Sequence, residues 1–363
     1  MALLTIGAFA KASRLSPKAL RLYDDLGLLT PAQVDPETGY RRYDPAQLER
    51  ARLVAWLRRL GMPLTRIQYV CALPPSEAAR EVAAFWARTE AETAARRDLA
   101  AFLIDHLKGK DPLMSPTKPM GIRYAALSDA GLVRESNQDT AYAGARLFAV
   151  ADGYGRVGAP AGAAAIEVFR RLEAGGIESM AAGDVLNVLE EAVGQARRAV
   201  SDVAAAPASD PEAGTTLTAM LWTGSQLALV HMGDSRAYLL RDGELFQITH
   251  DHTLVQSMLD EGRLTPEEAV SHPQRSLLLR ALGTRSDATP DIRLHEARPA
   301  DRYLLCSDGL STVVPDAEIR RVVAATDDPE QAVRDLVALA NASGGPDNVS
   351  CVVADVLLEA GAA

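Results

Sequence analysis

A short proline-rich segment, residues 109–120, divides this 363-residue chain into two stretches with different patterns. Its sequence, GKDPLMSPTKPM, holds three prolines and one glycine without apolar periodicity, which predicts a linker. Apolar residues before it recur at helical spacing, whereas strand-like runs alternate with helical segments after it. Because a single core seldom grows beyond roughly 250–300 residues, the length also predicts two domains.

Charge is unevenly divided between the two stretches. The formal net charge is −10, but residues 1–75, which we call the head, hold eleven Lys and Arg against six Asp and Glu. The head therefore carries +5 and the rest of the chain −15, which indicates a polyanionic partner for the head. Neither a secretory signal pattern nor an apolar run of roughly 18–20 residues is present, so we expect a cytoplasmic protein without a membrane partner.

Five aspartates of the second stretch lie at the edges of strand-like runs: Asp139, Asp152, Asp234, Asp308 and Asp347. Strands hold carboxylates rigidly at their ends, where several can converge on hard cations. Carboxylates and water are the ligands that Mg²⁺ and Mn²⁺ prefer, and the three widely separated cysteines offer no cluster for a softer metal. The pattern predicts a two-metal hydrolase.

Two short helices with a turn between them are predicted at the start of the head. Thr5 and Ser16 are typical N-cap residues. In the second helix Tyr23 is predicted to face inward, which leaves Lys18 and Arg21 exposed on the opposite side. A short helix that presents basic groups after a tight turn is typical of a helix-turn-helix.

A hairpin is predicted next, with Gly39 at its turn and Tyr40, Arg41, Arg42 and Tyr43 along it. The guanidinium group of arginine hydrogen-bonds phosphate oxygens, and aromatic rings pack on sugars. These residues are therefore suited to binding a nucleic acid backbone.

Four segments of the head, in order, resemble the MerR family of transcriptional regulators: TIGAFAKAS, LRLYDDLGLLTPA, GYRRYDPAQLERARLV and LRRLGMPLTRIQ. The resemblance covers roughly residues 3–75 and implies an all-α winged helix-turn-helix that binds double-stranded operator or promoter DNA as a homodimer. The residues it assigns to DNA are Ser16, Lys18, Arg21 and Tyr23 on the recognition helix and Tyr40, Arg41 and Arg42 on the wing.

Residues 76–108 contain no glycine or proline and have an approximate heptad pattern. The resemblance implies that they form a long antiparallel dimerisation helix. A helix packed on its own domain is the alternative.

The second stretch combines strand runs such as RLFAVADG and DRYLLCSDG with helical segments such as PEQAVRDLVALANASG. Strands paired in hairpins, with helices able to cover both faces, predict an α+β sandwich. From about Arg123 to Asp355 the residues resemble the metal-dependent PPM, or type 2C, Ser/Thr protein phosphatases in their bacterial form, with HPQRSLLLRALG and RYLLCSDGLS among the matching motifs. The resemblance implies an α-β-β-α sandwich over residues 121–357 that hydrolyses phosphoserine and phosphothreonine in proteins.

Carried over position by position, the resemblance implies a site for two or three Mn²⁺ or Mg²⁺ ions. Asp152 would bridge two metals, and the carbonyl of Gly153 would bind one of them. Asp308 and Asp347 would complete the coordination of the other metal.

Four further positions follow from the same resemblance. Asp234, together with Asp308, matches a third metal site. Ser276 matches a residue that contacts this third metal site and belongs to the flap, the segment that covers the site in relatives. Asp139 would lie near the metals through water. Arg134 would bind the substrate phosphate, because a planar guanidinium bonds two oxygens at once.

Two departures from the family pattern leave alternatives open. Gln138 stands where an acidic residue is common, and Arg156 stands where a glycine is common. The first interpretation is a DNA-binding regulator with an active phosphatase domain. The others are a transcription factor whose inactive phosphatase fold is a sensor, and a phosphatase whose head only dimerises or docks partners.

Overall fold

The computed structural model describes residues 3–86, 89, 93, 97, 100, 120–174, 182–205, 212–223, 226–261, 263–283 and 288–358. The predicted linker lies outside the described residues up to position 119. The predicted dimerisation helix, residues 76–108, is described continuously only as far as residue 86.

The fold divides into two units, which agrees with the predicted two-domain organisation. The first comprises Met1–Ala91 with Val255–Arg275, and the second Glu92–Leu254 with Ser276–Ala363. In the described part of the chain, none of the helices is both long enough and apolar enough to cross a membrane.

Helices α1 (Ile6–Ser13), α2 (Pro17–Asp25), α3 (Leu48–Arg59) and α4 (Leu64–Val70) build most of the head, and α5 (residues 75–86) follows it. The predicted caps are present, because the Thr5 hydroxyl accepts from the Ala8 N–H and the Ser16 hydroxyl accepts from the Ala19 N–H at 3.0 Å. Each cap satisfies an N–H that the first helical turn leaves without a partner, which stabilises the helix by about 1 kcal/mol.

The head is mainly helical, as predicted, but it also contains a small antiparallel sheet that the all-α class leaves out. Its strands are β1 (Leu4–Thr5), β2 (Gln33–Val34) and β3 (Arg41–Tyr43), in the order β1-β3-β2. Tyr43 is fully buried and stacks on Phe9 with 4.5 Å between the ring centroids, so β3 is anchored in the helical core. Gly39 has a φ of +66° at the turn between β2 and β3, a conformation that favours glycine.

The second unit contains two antiparallel sheets. One has the order β11-β10-β14-β15-β4; the other has the order β12-β7-β6-β8-β9-β13, with β5 paired to β6. The strands are β4 (Met120–Asp129), β5 (Asp139–Ala143), β6 (Leu147–Tyr154), β7 (Gly214–Thr215), β8 (Leu217–Trp222), β9 (Gln226–Met232), β10 (Arg236–Arg241), β11 (Glu244–Gln247), β12 (Leu282–Gly283), β13 (Asp291–Glu296), β14 (Arg302–Cys306) and β15 (Val349–Leu358).

The helices after the head are α6 (Gly158–Ala174), α7 (Ala182–Ala204), α8 (Leu254–Asp260), α9 (Pro266–Val270), α10 (Asp308–Ser311), α11 (Asp316–Ala325) and α12 (Pro329–Ala342). Of these, α6 and α7 pack on the sheet that contains β6, whereas α11 and α12 pack on the sheet that contains β14. This arrangement gives the predicted α-β-β-α order of layers.

Strand β6 is apolar from Leu147 to Ala151 because its two faces are buried in different cores. Leu147 and Ala149 contact the core under α6 and α7, whereas Phe148 and Val150 contact the core between the two sheets. Alternate side chains of a strand point to opposite faces, so a strand between two cores has no polar face. Burial of each large apolar side chain stabilises the fold by about 1.5–3 kcal/mol, and this rigid strand carries Asp152 near its end.

Candidate metal centre

The five predicted aspartates meet at one end of the sandwich. Asp139 begins β5 and lies directly opposite Asp152 of β6 in the strand register. Asp234 follows β9, Asp308 follows β14 and begins α10, and Asp347 precedes β15. Because β14 and β15 pair at Cys306 and Cys351, the last two aspartates emerge side by side. Both sheets therefore contribute carboxylates to the same region.

Removal from water and mutual repulsion raise the pKa values of these carboxyl groups. The pKa of Asp152 is raised well above its ordinary value, first by burial and then by the charges of the other four aspartates. Burial likewise raises the pKa of Asp139 to about 6 and that of Asp234 to about 8, with Asp308 adding to both shifts. A cluster of this kind favours either protons or cations.

Two observations test whether metal cations fit here. Asp139 Oδ1 and Asp308 Oδ1 are buried and have no hydrogen-bond partner, so each offers a lone pair that nothing in the protein satisfies. In the described residues, no three His, Cys, Asp or Glu side chains form a ready-made metal shell. Hard cations keep several water ligands and take one or two carboxylates each. The residues present fit Mg²⁺ or Mn²⁺.

Backbone packing fixes the carboxylates in place. A Cβ atom on Gly153 would overlap the Gly158 carbonyl oxygen, so only glycine allows this approach of β6 to α6. The Ser307 hydroxyl donates to Asp139 Oδ2 at 2.6 Å and accepts from the Ser350 N–H at 2.9 Å. Ser307 was not predicted from the sequence, although it directly precedes Asp308.

Arg134 reaches the carboxylates from the loop between β4 and β5. Its Nη2 donates to Asp347 Oδ2 at 2.6 Å, and 55% of its side chain is exposed. This hydrogen bond raises the pKa of Arg134, and the charges of Asp152 and Asp308 add to the shift. A permanent cation that is exposed beside the carboxylates is suitably placed to bind an anion.

Asn348 holds the loop that carries Arg134, and it was missed in the sequence analysis. Its Nδ2 donates to the carbonyl oxygens of Ala130 and Ser136, and its Oδ1 accepts from the Gln138 N–H at 2.8 Å. The Gln138 side chain in turn donates to the Gly155 carbonyl at 2.7 Å. The glutamine that departs from the family pattern therefore joins two loops of the site.

Ser276 is exposed in a turn. Its predicted contact with the third metal site stays a prediction.

The candidate DNA-binding residues of the head differ in accessibility. Lys18 and Arg21 are exposed on α2, and Tyr40 is 48% exposed at the hairpin. Tyr23 is only 5% exposed and packs in the head core, so its ring is not available as a surface contact. Its assignment to DNA is corrected for that reason, in agreement with the inward orientation that helical spacing predicts.

Arg41 and Arg42 have different surroundings. Arg41 Nε donates to Asp24 Oδ2 at 2.6 Å, so this arginine ties β3 to α2. Arg42 is exposed on the same strand. Ser16 acts as the N-cap of α2 and is exposed.

Two family models match separate parts of this chain. A family model described as protein phosphatase 2C matches residues 133–352, and one described as MerR HTH family regulatory protein matches residues 4–73. The Ser/Thr protein phosphatase PstP of Mycobacterium tuberculosis is 52% identical over 239 residues, which are 65% of this chain and 45% of PstP. The chain thus spans less than half the length of this curated relative.

Solved structures support the fold of the second unit. A crystal structure of Mycobacterium tuberculosis PstP/Ppp has a TM-score of 0.61 and 48% identity, and the match covers 65% of this chain and 99% of that one. A PstP catalytic domain in complex with two manganese ions has a TM-score of 0.59 and 46% identity, with 66% and 99% of the two chains covered. The matches confirm both predicted resemblances: residues 4–73 are similar to the MerR HTH family of regulatory proteins, and the chain belongs to the protein phosphatase 2C family.

Proposed function

We propose that this protein is a MerR-like DNA-binding regulator whose second domain is an active, Mn²⁺- or Mg²⁺-dependent phosphatase of phosphoserine and phosphothreonine in proteins. The meeting of five carboxylates beside the exposed Arg134 carries the proposal, because two of them keep a buried oxygen without a partner. A relative's catalytic domain in complex with two manganese ions supports the same metal for this chain.

Each residue of the carboxylate cluster has a proposed role in the hydrolysis of the phosphate ester. Bound divalent cations supply a water nucleophile at neutral pH and stabilise negative charge on the phosphate. Asp152 would hold two cations, with the Gly153 carbonyl as a ligand of one of them, and Asp308 and Asp347 would be ligands of the other. Asp234, with Asp308, would hold a third cation. Asp139 would orient water near the metals.

Arg134 would bind the phosphate and exchange its partner Asp347 for substrate oxygens. We expect Arg134→Ala to raise KM for a phosphothreonine peptide by about tenfold while kcat falls less, because a lost hydrogen bond to a charged group costs about 1.5–3 kcal/mol. Steady-state kinetics at saturating Mn²⁺ checks this. Arg334→Ala, on the exposed face of α12, removes the same charge far from the site and should change neither constant. An unchanged KM in Arg134→Ala would contradict the assigned role.

An inactive sensor is the alternative, and Gln138 and Arg156 are the features that favour it. The Gln138 amide donates to the Gly155 carbonyl and so serves the loop structure. All five aspartates are retained, which favours catalysis over a sensor role.

Hydrolysis of p-nitrophenyl phosphate and of a phosphothreonine peptide, each with and without Mn²⁺, tests the activity of the full chain. We expect turnover only with the metal. If neither compound is hydrolysed at millimolar Mn²⁺, the second domain is a sensor.

Lys18 and Arg21 of α2, together with Arg42 and Tyr40 of the hairpin, form the surface that we propose for DNA. All four are exposed. Arg41 would act by holding the hairpin against α2, since Asp24 already binds its guanidinium. Binding as a homodimer through residues 76–108 completes the proposal.

The dependence of DNA affinity on salt tests this surface. Each phosphate contact contributes about 0.9 to the slope of log affinity against log salt concentration. We therefore expect the double variant Lys18→Ala, Arg21→Ala to lower that slope by about two for a duplex of mixed sequence. Fluorescence anisotropy at several salt concentrations measures it. The control Arg171→Ala, Arg334→Ala loses the same charge from exposed sites of the second domain. An equal slope in both double variants would remove Lys18 and Arg21 from the interface.

A further inference from the structure

A histidine holds the backbone of the turn that carries Asp234. Gly233 lies in this turn between β9 and β10, with a φ of +113°. His252 bonds both backbone polar groups of Gly233. Its ring Nδ1 accepts from the Gly233 N–H at 3.2 Å, and its backbone N–H donates to the Gly233 carbonyl at 2.8 Å. The ring nitrogen thus holds the Met232–Gly233 peptide and the backbone N–H holds the Gly233–Asp234 peptide, so His252 supports the chain on both sides of Gly233 directly before Asp234.

The neighbours of the other ring nitrogen determine which tautomer of His252 is present. Because Nδ1 accepts, the proton of the neutral ring is on Nε2. Nε2 lies 3.4 Å from Asp291 Oδ2 and 3.4 Å from Arg280 Nη1, and Arg280 Nη1 donates to Asp291 Oδ1 at 3.1 Å. The hydrogen bond with His252 is the largest cause that lowers the pKa of Asp291 to about 2. A carboxylate behind a histidine ring is a common way to fix both its tautomer and its orientation.

The opposite side of the turn is connected to Asp152. A Cβ atom on Gly233 would lie 2.6 Å from Thr216 Cβ, so only glycine fits against this threonine. Thr216 Oγ1 accepts from the Asp152 N–H at 2.9 Å and lies 2.8 Å from Ser235 Oγ. Thr216 thus joins the Asp234 turn to the central carboxylate of the site from one side, while His252 supports the turn from the other.

We infer that His252, held by Asp291, is a positioning residue that sets the place of the Asp234 carboxylate relative to Asp152 and thereby the affinity for the cation held by Asp234 and Asp308. The inference rests on the proposed metal-dependent function. Among the described residues, the His252 ring contacts the Gly233 N–H, Arg280, Asp291 and the His231 ring, none of which is one of the five clustered aspartates. The side chain of His252 is 6% exposed, so a buried histidine that only stabilises the fold is the competing explanation.

Direct measurement of Mn²⁺ binding separates the two explanations. Electron paramagnetic resonance counts free Mn²⁺ during titration of the full chain and gives the number and affinity of the sites without any substrate. We expect His252→Leu to weaken the weakest class of site by about tenfold or more, as for other residues that orient metal ligands, and to leave the tighter sites unchanged. We expect His252→Asn, whose Oδ1 replaces the acceptor Nδ1, to restore the affinity to within about threefold of the original.

Two further variants make the test decisive. His295→Leu removes a histidine from the other end of β13 and should leave all Mn²⁺ affinities unchanged. If His252→Leu does not fold, Asp291→Ala takes its place, because it leaves His252 but removes the acceptor of its Nε2 proton, and it should weaken the same class of site. The inference is overturned if the leucine and asparagine variants behave alike, or if the weakest class is unchanged in both His252→Leu and Asp291→Ala.

Failure of the proposed phosphatase activity can be distinguished from failure of the positioning role of His252. If the protein binds Mn²⁺ with the predicted dependence on His252 but hydrolyses no phosphopeptide, the positioning role is supported and the proposed phosphatase activity is contradicted. If the protein hydrolyses the phosphopeptide but its Mn²⁺ binding is independent of His252, the phosphatase activity is supported and the positioning role is contradicted.

Discussion

Replacement of Asp152 by asparagine is expected to lower Mn²⁺-dependent hydrolysis of a phosphothreonine peptide by at least about a thousandfold, because bound metals supply several kcal/mol of transition-state stabilisation. The pKa of Asp152 is raised by burial and by all four other aspartates, which places this carboxylate at the centre of the cluster. An amide keeps the shape of the side chain but is neutral and offers a single acceptor oxygen, so the cations that Asp152 is proposed to hold would lose a charged ligand. The value of kcat/KM at saturating Mn²⁺ measures the loss.

The same substitution should stabilise the metal-free protein. Burial and like charges raise the pKa of Asp152 in the folded state, so its ionised form destabilises the fold at neutral pH. Removal of that charge should raise the Tm without metal by a few degrees. Mn²⁺ at about 100 times its Kd should stabilise the original protein by about 2.7 kcal/mol, or roughly 5–10 °C. The variant should lose this shift.

Calorimetry with and without Mn²⁺ checks both changes in Tm. Asp202→Asn, on the exposed surface of α7, is the matched control because it removes the same charge and should leave both turnover and the Mn²⁺ shift intact. If Asp152→Asn retained the Mn²⁺ shift and more than a tenth of the turnover, the assignment of the metal centre would be wrong.

Replacement of Gly309 by alanine is expected to lower kcat by roughly a hundredfold, the usual effect when catalytic groups are displaced by about 1 Å. A Cβ atom at this position would overlap the Asn348 carbonyl oxygen. Gly309 follows Asp308 in α10, and Asn348 follows Asp347, so relief of the overlap moves these two carboxylates apart. Overpacking of this kind should also destabilise the fold by about 1–3 kcal/mol.

Kinetics and denaturant unfolding of Gly309→Ala measure these two effects. Gly194→Ala is the control, because the nearest atom to a Cβ there is Arg198 Nη1 at 3.8 Å, and alanine stabilises a helix by about 0.5–1 kcal/mol relative to glycine. Wild-type kcat in Gly309→Ala would show that Asp308 and Asp347 need no fixed separation.

Local signals in the sequence determined much of the architecture. The caps Thr5 and Ser16 were predictable because each acts on backbone groups within three residues of itself. Strand β6, which carries Asp152, and strand β14, which precedes Asp308, were predictable from their apolar runs, since a strand between two cores is apolar on both faces. The hairpin of β2 and β3 in the head was predicted, but β1 was not, because it pairs with β3 from a distant part of the chain and a strand of two residues leaves no periodic pattern.

What the sequence by itself determined is the set of carboxylates, the order of secondary structure and the division into a basic head and an acidic sandwich, because these depend on residue type and short spacing. Only the tertiary structure decided that Tyr23 is buried, that Asp24 binds Arg41, and that His252 supports the turn before Asp234. The sequence positions of such partners carry no signal of their contact, since distances of about 3 Å between groups far apart in the chain arise only when the sheets and helices have packed.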